Sequence, residues 1–120
     1  MKSVYLSGGI MNFSHKETHD WREESKSKLN ADIKVIDPTR ISYKNRTPKE
    51  IVELDKSDID SSTHVLVYYI KPSVGTSMEL LYAWQVSTAD IYVVNVSGEE
   101  LSPWLIYHST KIFSSLDEAI

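Results

Sequence analysis

Two rhythms of apolar and polar positions run along this chain. Short apolar runs of strand length recur at Ser3 to Leu6, Ile33 to Ile36, Val65 to Ile70 and Ile91 to Val96. Between them lie longer stretches with helical signals. Ser14-His15-Lys16-Glu17 has the S-x-x-E form of a capping box, and a helix from there to about Leu29 aligns Trp21, Ser25 and Leu29. Thr47-Pro48-Lys49-Glu50 combines a cap, a proline at the first helical position and a glutamate at the third. The helix it opens, to about Ser61, puts Ile51, Asp55 and Ile59 on one stripe. Thr76 to Ser87 reads as a third helix, following the Val65–Ile70 run. Thr39 to Arg46 is polar and without regular pattern. Towards the end, Pro103-Trp104 opens a short turn or helix, Lys111-Ile112-Phe113 is a candidate edge strand, and Ser115-Leu116-Asp117-Glu118 starts a last helix. Strands alternating with helices predict a parallel sheet covered on both faces.

Composition narrows the setting. At 120 residues, with 41% hydrophobic and 25% charged positions, the chain fits a single domain, 1–120, with an ordinary core. It has no cysteine, which removes disulfides, thiolate metal sites and thiol catalysis and suits a reducing, cytoplasmic setting. The first apolar run is too short for a signal peptide, and no run is long enough to span a membrane. A formal net charge of −4 argues against a nucleic-acid polymer as partner. A phosphate on a small ligand would have to be held locally, by loop amides and a few hydroxyls.

The most informative segment is Lys71-Pro72-Ser73-Val74-Gly75-Thr76-Ser77-Met78-Glu79, between a strand and a helix. There, backbone N–H groups and a helix N-terminus can face an anion. Glu79 has two readings of about equal weight. Thr76-Ser77-Met78-Glu79 is itself a capping box, in which Glu79 satisfies the Thr76 amide; alternatively its carboxylate serves a ligand. Asp55 lies on an apolar stripe, so its carboxylate faces the sheet and needs a partner. Its neighbours Asp58 and Asp60 suit an ordinary hydrated role better. Tyr5 sits in a central strand, where a buried hydroxyl must find an acceptor.

Ser7-Gly8-Gly9 and Ser73-Val74-Gly75-Thr76 end two strands, where ligands bind in parallel sheets. Neither loop is a standard nucleotide fingerprint. Of the four histidines, His15 and His19 have i, i+4 spacing but no further ligands, which favours a solvated helix face over a metal site. No metal or cofactor is implied.

Tyr5, Ser7-Gly8-Gly9, Asp55 and Pro72-Ser73-x-Gly75-x-x-x-Glu79 together resemble the nucleoside 2-deoxyribosyltransferase family, which includes 2'-deoxynucleoside 5'-phosphate N-hydrolases. The resemblance runs over nearly the whole length. It implies a three-layer α/β/α, flavodoxin-like (Rossmann-like) fold, cleavage of an N-glycosidic bond, no cofactor, and a homo-oligomer, dimer or higher. By resemblance, Glu79 is the nucleophile or oxocarbenium stabiliser, Tyr5 orients it, and Asp55 handles the proton of the base or a sugar hydroxyl. Ser7, Gly8, Gly9, Ser73, Gly75 and Met78 fall at substrate-binding positions of a small-molecule nucleoside or nucleotide. Transferases of free nucleosides carry an acid just before the loop glycine; here Ser73 and Val74 stand there. Pro72-Ser73-Val74-Gly75 matches the monophosphate hydrolases, in which the serine helps bind a 5'-phosphate. The first loop, Ser7 to Asn12, lacks the arginine those hydrolases often carry.

Hydrolysis and transfer differ only in whether water or a base intercepts the glycosyl group. A tight apolar pocket would favour transfer, and Trp21, Trp84 and Trp104 are candidates to line one. Ser102-Pro103-Trp104 and Tyr107-His108-Ser109 are candidates to complete a neighbour's site, although a core or interface anchor is the better reading of Trp104. The competing class is a binding module that sequesters a nucleotide-derived metabolite or signal without turnover. Retention of Tyr5, Asp55 and Glu79 together speaks against it.

Overall fold

A computed structural model describes residues 2–86 and 88–120. Its elements follow the order β1 (Ser3–Gly8), α1 (His15–Lys28), β2 (Lys34–Ile36), a 3-10 turn (Pro38–Arg40), α2 (Pro48–Asp60), β3 (His64–Tyr69), α3 (Val74–Val86), β4 (Asp90–Asn95), α4 (Pro103–Tyr107), β5 (Lys111–Phe113) and α5 (Leu116–Ala119). Two of the expected capping boxes form: Ser14 with Glu17 opens α1, and Thr47 with Glu50 opens α2. The segment expected to be irregular after Asp37 contains the 3-10 turn, because the Asp37 side chain accepts from the Thr39 amide and caps it. The expected end of the third helix at Ser87 lies outside the described residues. Among the described residues no helix is long and apolar enough to cross a membrane.

The strands form one sheet in the order β2-β1-β3-β4-β5, and every pairing is parallel. Successive side chains of a strand face opposite ways, and two cores result. Tyr5, Val65, Val67, Ile91 and Val93 pack on one face with Ile59 of α2, Leu80 and Ala83 of α3 and Leu105 of α4. Val4, Leu6, Leu66 and Val94 pack on the other with Trp21 of α1 and Leu116 of α5. Helices on both faces of a parallel sheet make the three-layer α/β/α arrangement, and the order 2-1-3-4-5 is that of flavodoxin-like folds.

One buried residue departs from the amphipathic pattern. Arg22 is only 1% exposed, in a position between Trp21 and Ser25 on the buried side of α1. Its guanidinium donates to the carbonyls of Leu6, Gly8 and Thr18, and Asp37 lies 3.7 Å from its Nε. Burial pulls this guanidinium below its ordinary pKa, against the opposing pull of Asp37. Asp37 in turn is held by Lys26 at 2.7 Å and by the Thr39 amide and hydroxyl. The cluster ties the ends of β1 and β2 to α1.

Candidate active site

After β1 the chain crosses to the face that carries α1, and after β3 to the face that carries α3. The crevice between the carboxyl ends of β1 and β3 is therefore a topological switch point, where open α/β sheets bind ligands. A cleft of about 720 Å³ opens there. Its walls come from β1 (Tyr5, Gly8), the loop after it (Ile10 to Phe13), Pro38 and Tyr43, α2 (Ile51, Asp55) and the segment from Lys71 to Thr76 with Glu79.

Tyr5 and Ser7 are two positions apart on β1, so both side chains face α3. Glu79 meets them there. The Tyr5 hydroxyl donates to Glu79 Oε2 at 2.7 Å and the Ser7 hydroxyl to Oε1 at 2.8 Å. Both donors are fully buried. Glu79 therefore caps nothing. The helix starts at Val74, two residues before the expected Thr76, and Ser73 is the residue that caps it: its Oγ accepts from the Thr76 amide at 3.3 Å. In that frame Glu79 falls in the second turn, beneath the cleft.

Asp55 comes from the facing helix. Its Oδ1 accepts from the Tyr43 hydroxyl at 2.5 Å. Nothing in the polar stretch around Tyr43 marks it as a site residue, and sequence reasoning missed it. The stretch is anchored by Arg40, whose guanidinium grips both oxygens of Asp58 at 2.9 Å. Asp58 is thus ion-paired rather than merely hydrated, and Asp60 accepts from Tyr82 at 2.8 Å.

The electrostatics of the two carboxylates are coupled. Burial pushes Glu79 up to about 7; the Tyr5 and Ser7 hydroxyls oppose this, and the charge of Asp55 adds to it. Asp55 is raised as well, chiefly by burial, against the pull of Tyr43. The two carboxyls therefore titrate as a pair, each raised chiefly by burial. Tyr5 and Tyr43 are both raised above the ordinary phenol range, first by burial, so each remains a donor.

The remaining expected positions separate. Gly8, Ser73 and Gly75 line the cleft, whereas Gly9 and Met78 do not. Gly9 is the seat of Phe13: a Cβ there would meet the ring at 2.1 Å. Gly8 is similarly pressed by Trp21 at 2.5 Å. Gly75 has open space around it, so a ligand can approach its backbone. Met78 is on the exposed side of α3.

None of the tryptophans lines this cleft. Trp21 is in the core, stacked on Tyr68 at 4.9 Å, because Gly8 leaves room for its indole. The exposed Trp84 and Trp104 flank the buried His108 near α4, and Trp104, at 71% exposed, is not a core residue. His15 and His19 stack on each other at 4.8 Å on an exposed face of α1. Among the described residues no three His, Cys, Asp or Glu side chains group to hold a metal ion.

No family model matches this chain, and no curated protein matches it by sequence. Solved structures do match. A 2-deoxyribosyltransferase from the psychrotolerant bacterium Bacillus psychrosaccharolyticus superposes with a TM-score of 0.79 over 98% of this chain and 89% of that one, at 13% identity. A conserved protein from Enterococcus faecalis V583 gives 0.75 over 99% and 94%, at 14% identity. The 2-desoxiribosyltransferase from Leishmania mexicana gives 0.64 over 99% and 94%, at 16% identity. With so few identical positions, what these proteins share with this chain is architecture. The chain therefore has the flavodoxin-like fold on which 2-deoxyribosyltransferases are built.

Proposed function

We propose that this protein cleaves the N-glycosidic bond of a (2'-deoxy)nucleoside, preferentially as its 5'-monophosphate, and passes the sugar to water or to another base. The observation that carries this reading is the Glu79 carboxylate, fixed by the Tyr5 and Ser7 hydroxyls in a cleft that also holds Asp55. The likeness in fold to 2-deoxyribosyltransferases supports it.

In this reading Glu79 acts ionised. As the bond from C1' to the base breaks, positive charge develops on the sugar, and the carboxylate stabilises it or closes onto C1' as a glycosyl ester. The departing base takes a proton from Asp55. In the second half, Asp55 accepts the proton of the attacking water or acceptor base as its oxygen or nitrogen bonds to C1' and Glu79 leaves. The pair thus needs one proton between them, on Asp55 at the moment of bond cleavage. Tyr5 and Ser7 keep the Glu79 oxygens aimed, and Tyr43 does the same for Asp55.

The preference for a monophosphate is supported by Ser73 and the amides at the start of α3, on a wall without an added acid. The exposed aromatics Trp84, Trp104 and Tyr107 support a homo-oligomer, which sedimentation velocity would test.

The deciding experiment is chromatographic: incubation with matched nucleosides and 5'-monophosphates, with and without a free acceptor base. Base released from monophosphates alone identifies a nucleotide hydrolase, and a new nucleoside formed only with acceptor identifies a transferase. Binding of one of these compounds without turnover would replace the enzyme reading with that of a sequestering module.

A further inference from the structure

We propose that Lys71 is the specificity-determining residue for a phosphate monoester in this cleft, and that Glu17 holds its ammonium group until that anion arrives. The inference rests on the nucleotide reading given above.

The cleft has an uneven charge. Among the described residues that line it, Asp55 and Glu79 are acidic, and Lys71 is the only lysine or arginine. A phosphate dianion entering such a cleft is repelled by the carboxylates unless a cation meets it. Lys71 lines the cleft two residues before the Ser73 cap of α3. Pro72 follows it and biases its backbone toward an extended form.

The groups beside Lys71 are donors in want of an acceptor. Val74 and Gly75 are the first residues of α3, and amides in the first turn have no intrahelical carbonyl to bond. Ser73 Oγ accepts from Thr76, which leaves its proton to give. Thr76 lines the cleft and is only 4% exposed, yet its Oγ1 has no hydrogen-bond partner. A threonine in a helix ordinarily bonds back to a carbonyl of the preceding turn. Thr76 Oγ1 is thus a further polar atom of this segment left without a protein partner. Together with the open space at Gly75, these donors form a place for an oxyanion.

Lys71 itself is loosely held. Its Nζ lies 3.5 Å from Glu17 Oε1 and 4.6 Å over the Phe13 ring, and the side chain is 46% exposed. The same Glu17 oxygen already accepts from the Ser14 amide at 2.9 Å. A long, exposed ion pair of this kind contributes little, whereas an ammonium on a phosphate makes a strong charge-assisted bond. Exchange from Glu17 to the ligand is downhill.

The test compares binding of matched 2'-deoxynucleosides and their 5'-monophosphates by isothermal titration calorimetry, at one fixed salt concentration. A Glu79→Gln background prevents turnover. Lys71→Met is expected to lower the monophosphate-to-nucleoside affinity ratio about ten- to hundredfold, with Lys71→Arg keeping most of it. Glu17→Gln preserves an acceptor for the Ser14 amide but drops the charge, and should raise the ratio a few-fold. Inorganic phosphate should compete with the monophosphate in the parent and much less in Lys71→Met. Melting temperatures check that the exposed substitutions leave the fold intact. A ratio unchanged in Lys71→Met, with nucleosides still bound, overturns the role of Lys71 and leaves the nucleotide reading standing. Absence of binding by every nucleoside and monophosphate sinks both.

Discussion

The hydroxyl of Tyr5 and the carboxylate of Glu79 meet at 2.7 Å although 74 positions separate them in the chain. Tyr5 is fully buried under α3, so its hydroxyl has to find a partner inside the protein. Glu79 is raised by that same burial and needs donors to hold its charge. Each residue thus relieves the other's desolvation, and the carboxylate gains a fixed direction.

Changing Tyr5 to Phe removes one of the two donors that oppose the rise of Glu79. In the proposed reaction kcat should fall roughly ten- to hundredfold. The rate needs ionised Glu79, so kcat/KM of the parent should climb with pH through about 7, and that limb should move to higher pH in the variant. A pH–rate profile from pH 5 to 9 checks both.

Glu79 also makes a prediction about stability. Its pKa in the folded protein lies above the ordinary value of 4.5, so the folded state binds more protons than the unfolded chain between 4.5 and about 7. This contribution is fully present below pH 4.5 and is lost as pH rises through 7. Glu79→Gln does not ionise. Its stability relative to the parent should therefore improve from pH 5 to pH 8, by on the order of 1–3 kcal/mol. Urea melts at the two pH values measure this, and turnover should be lost at both.

Tyr43→Phe deletes the hydrogen bond to Asp55 and leaves that carboxylate without its nearest donor. Asp55 should then hold its proton to higher pH. Stability should drop by about 1 kcal/mol, read from denaturant midpoints. Turnover should fall about tenfold, with the alkaline limb of the pH profile displaced upward.

The glycines of the two loops should respond oppositely to alanine. At Gly8 a Cβ would sit 2.5 Å from the Trp21 indole, and Gly8→Ala should destabilise by about 1–3 kcal/mol. At Gly75 a Cβ meets open space in the first turn of a helix, so Gly75→Ala should leave stability unchanged or raise it by up to about 1 kcal/mol. Its penalty should appear instead in KM, because the methyl group stands where a ligand approaches the backbone. Thermal melts and steady-state kinetics separate the two effects.

The elements and their alternation were legible along the chain. The β-branched runs at Val65 to Ile70 and Ile91 to Val96, and the two capping boxes at Ser14 and Thr47, act through neighbours a few residues away. Local patterns of this kind can be read without the fold. The start of α3 could not be, because Ser73 and Thr76 both offer a cap, and local sequence makes the two frames nearly equivalent. Only the position of Glu79 under Tyr5 and Ser7 distinguishes them, and that contact spans two elements. Arg22 was illegible for a related reason: arginine on a helix ordinarily marks the wet face, and its burial depends on the carbonyls that β1 presents. Tyr43 lies in a stretch with no periodicity, and its value comes from Asp55 on another helix. Tertiary structure decided these because hydrogen-bond partners and coupled titrations are properties of distance in space, which periodicity along a chain does not encode.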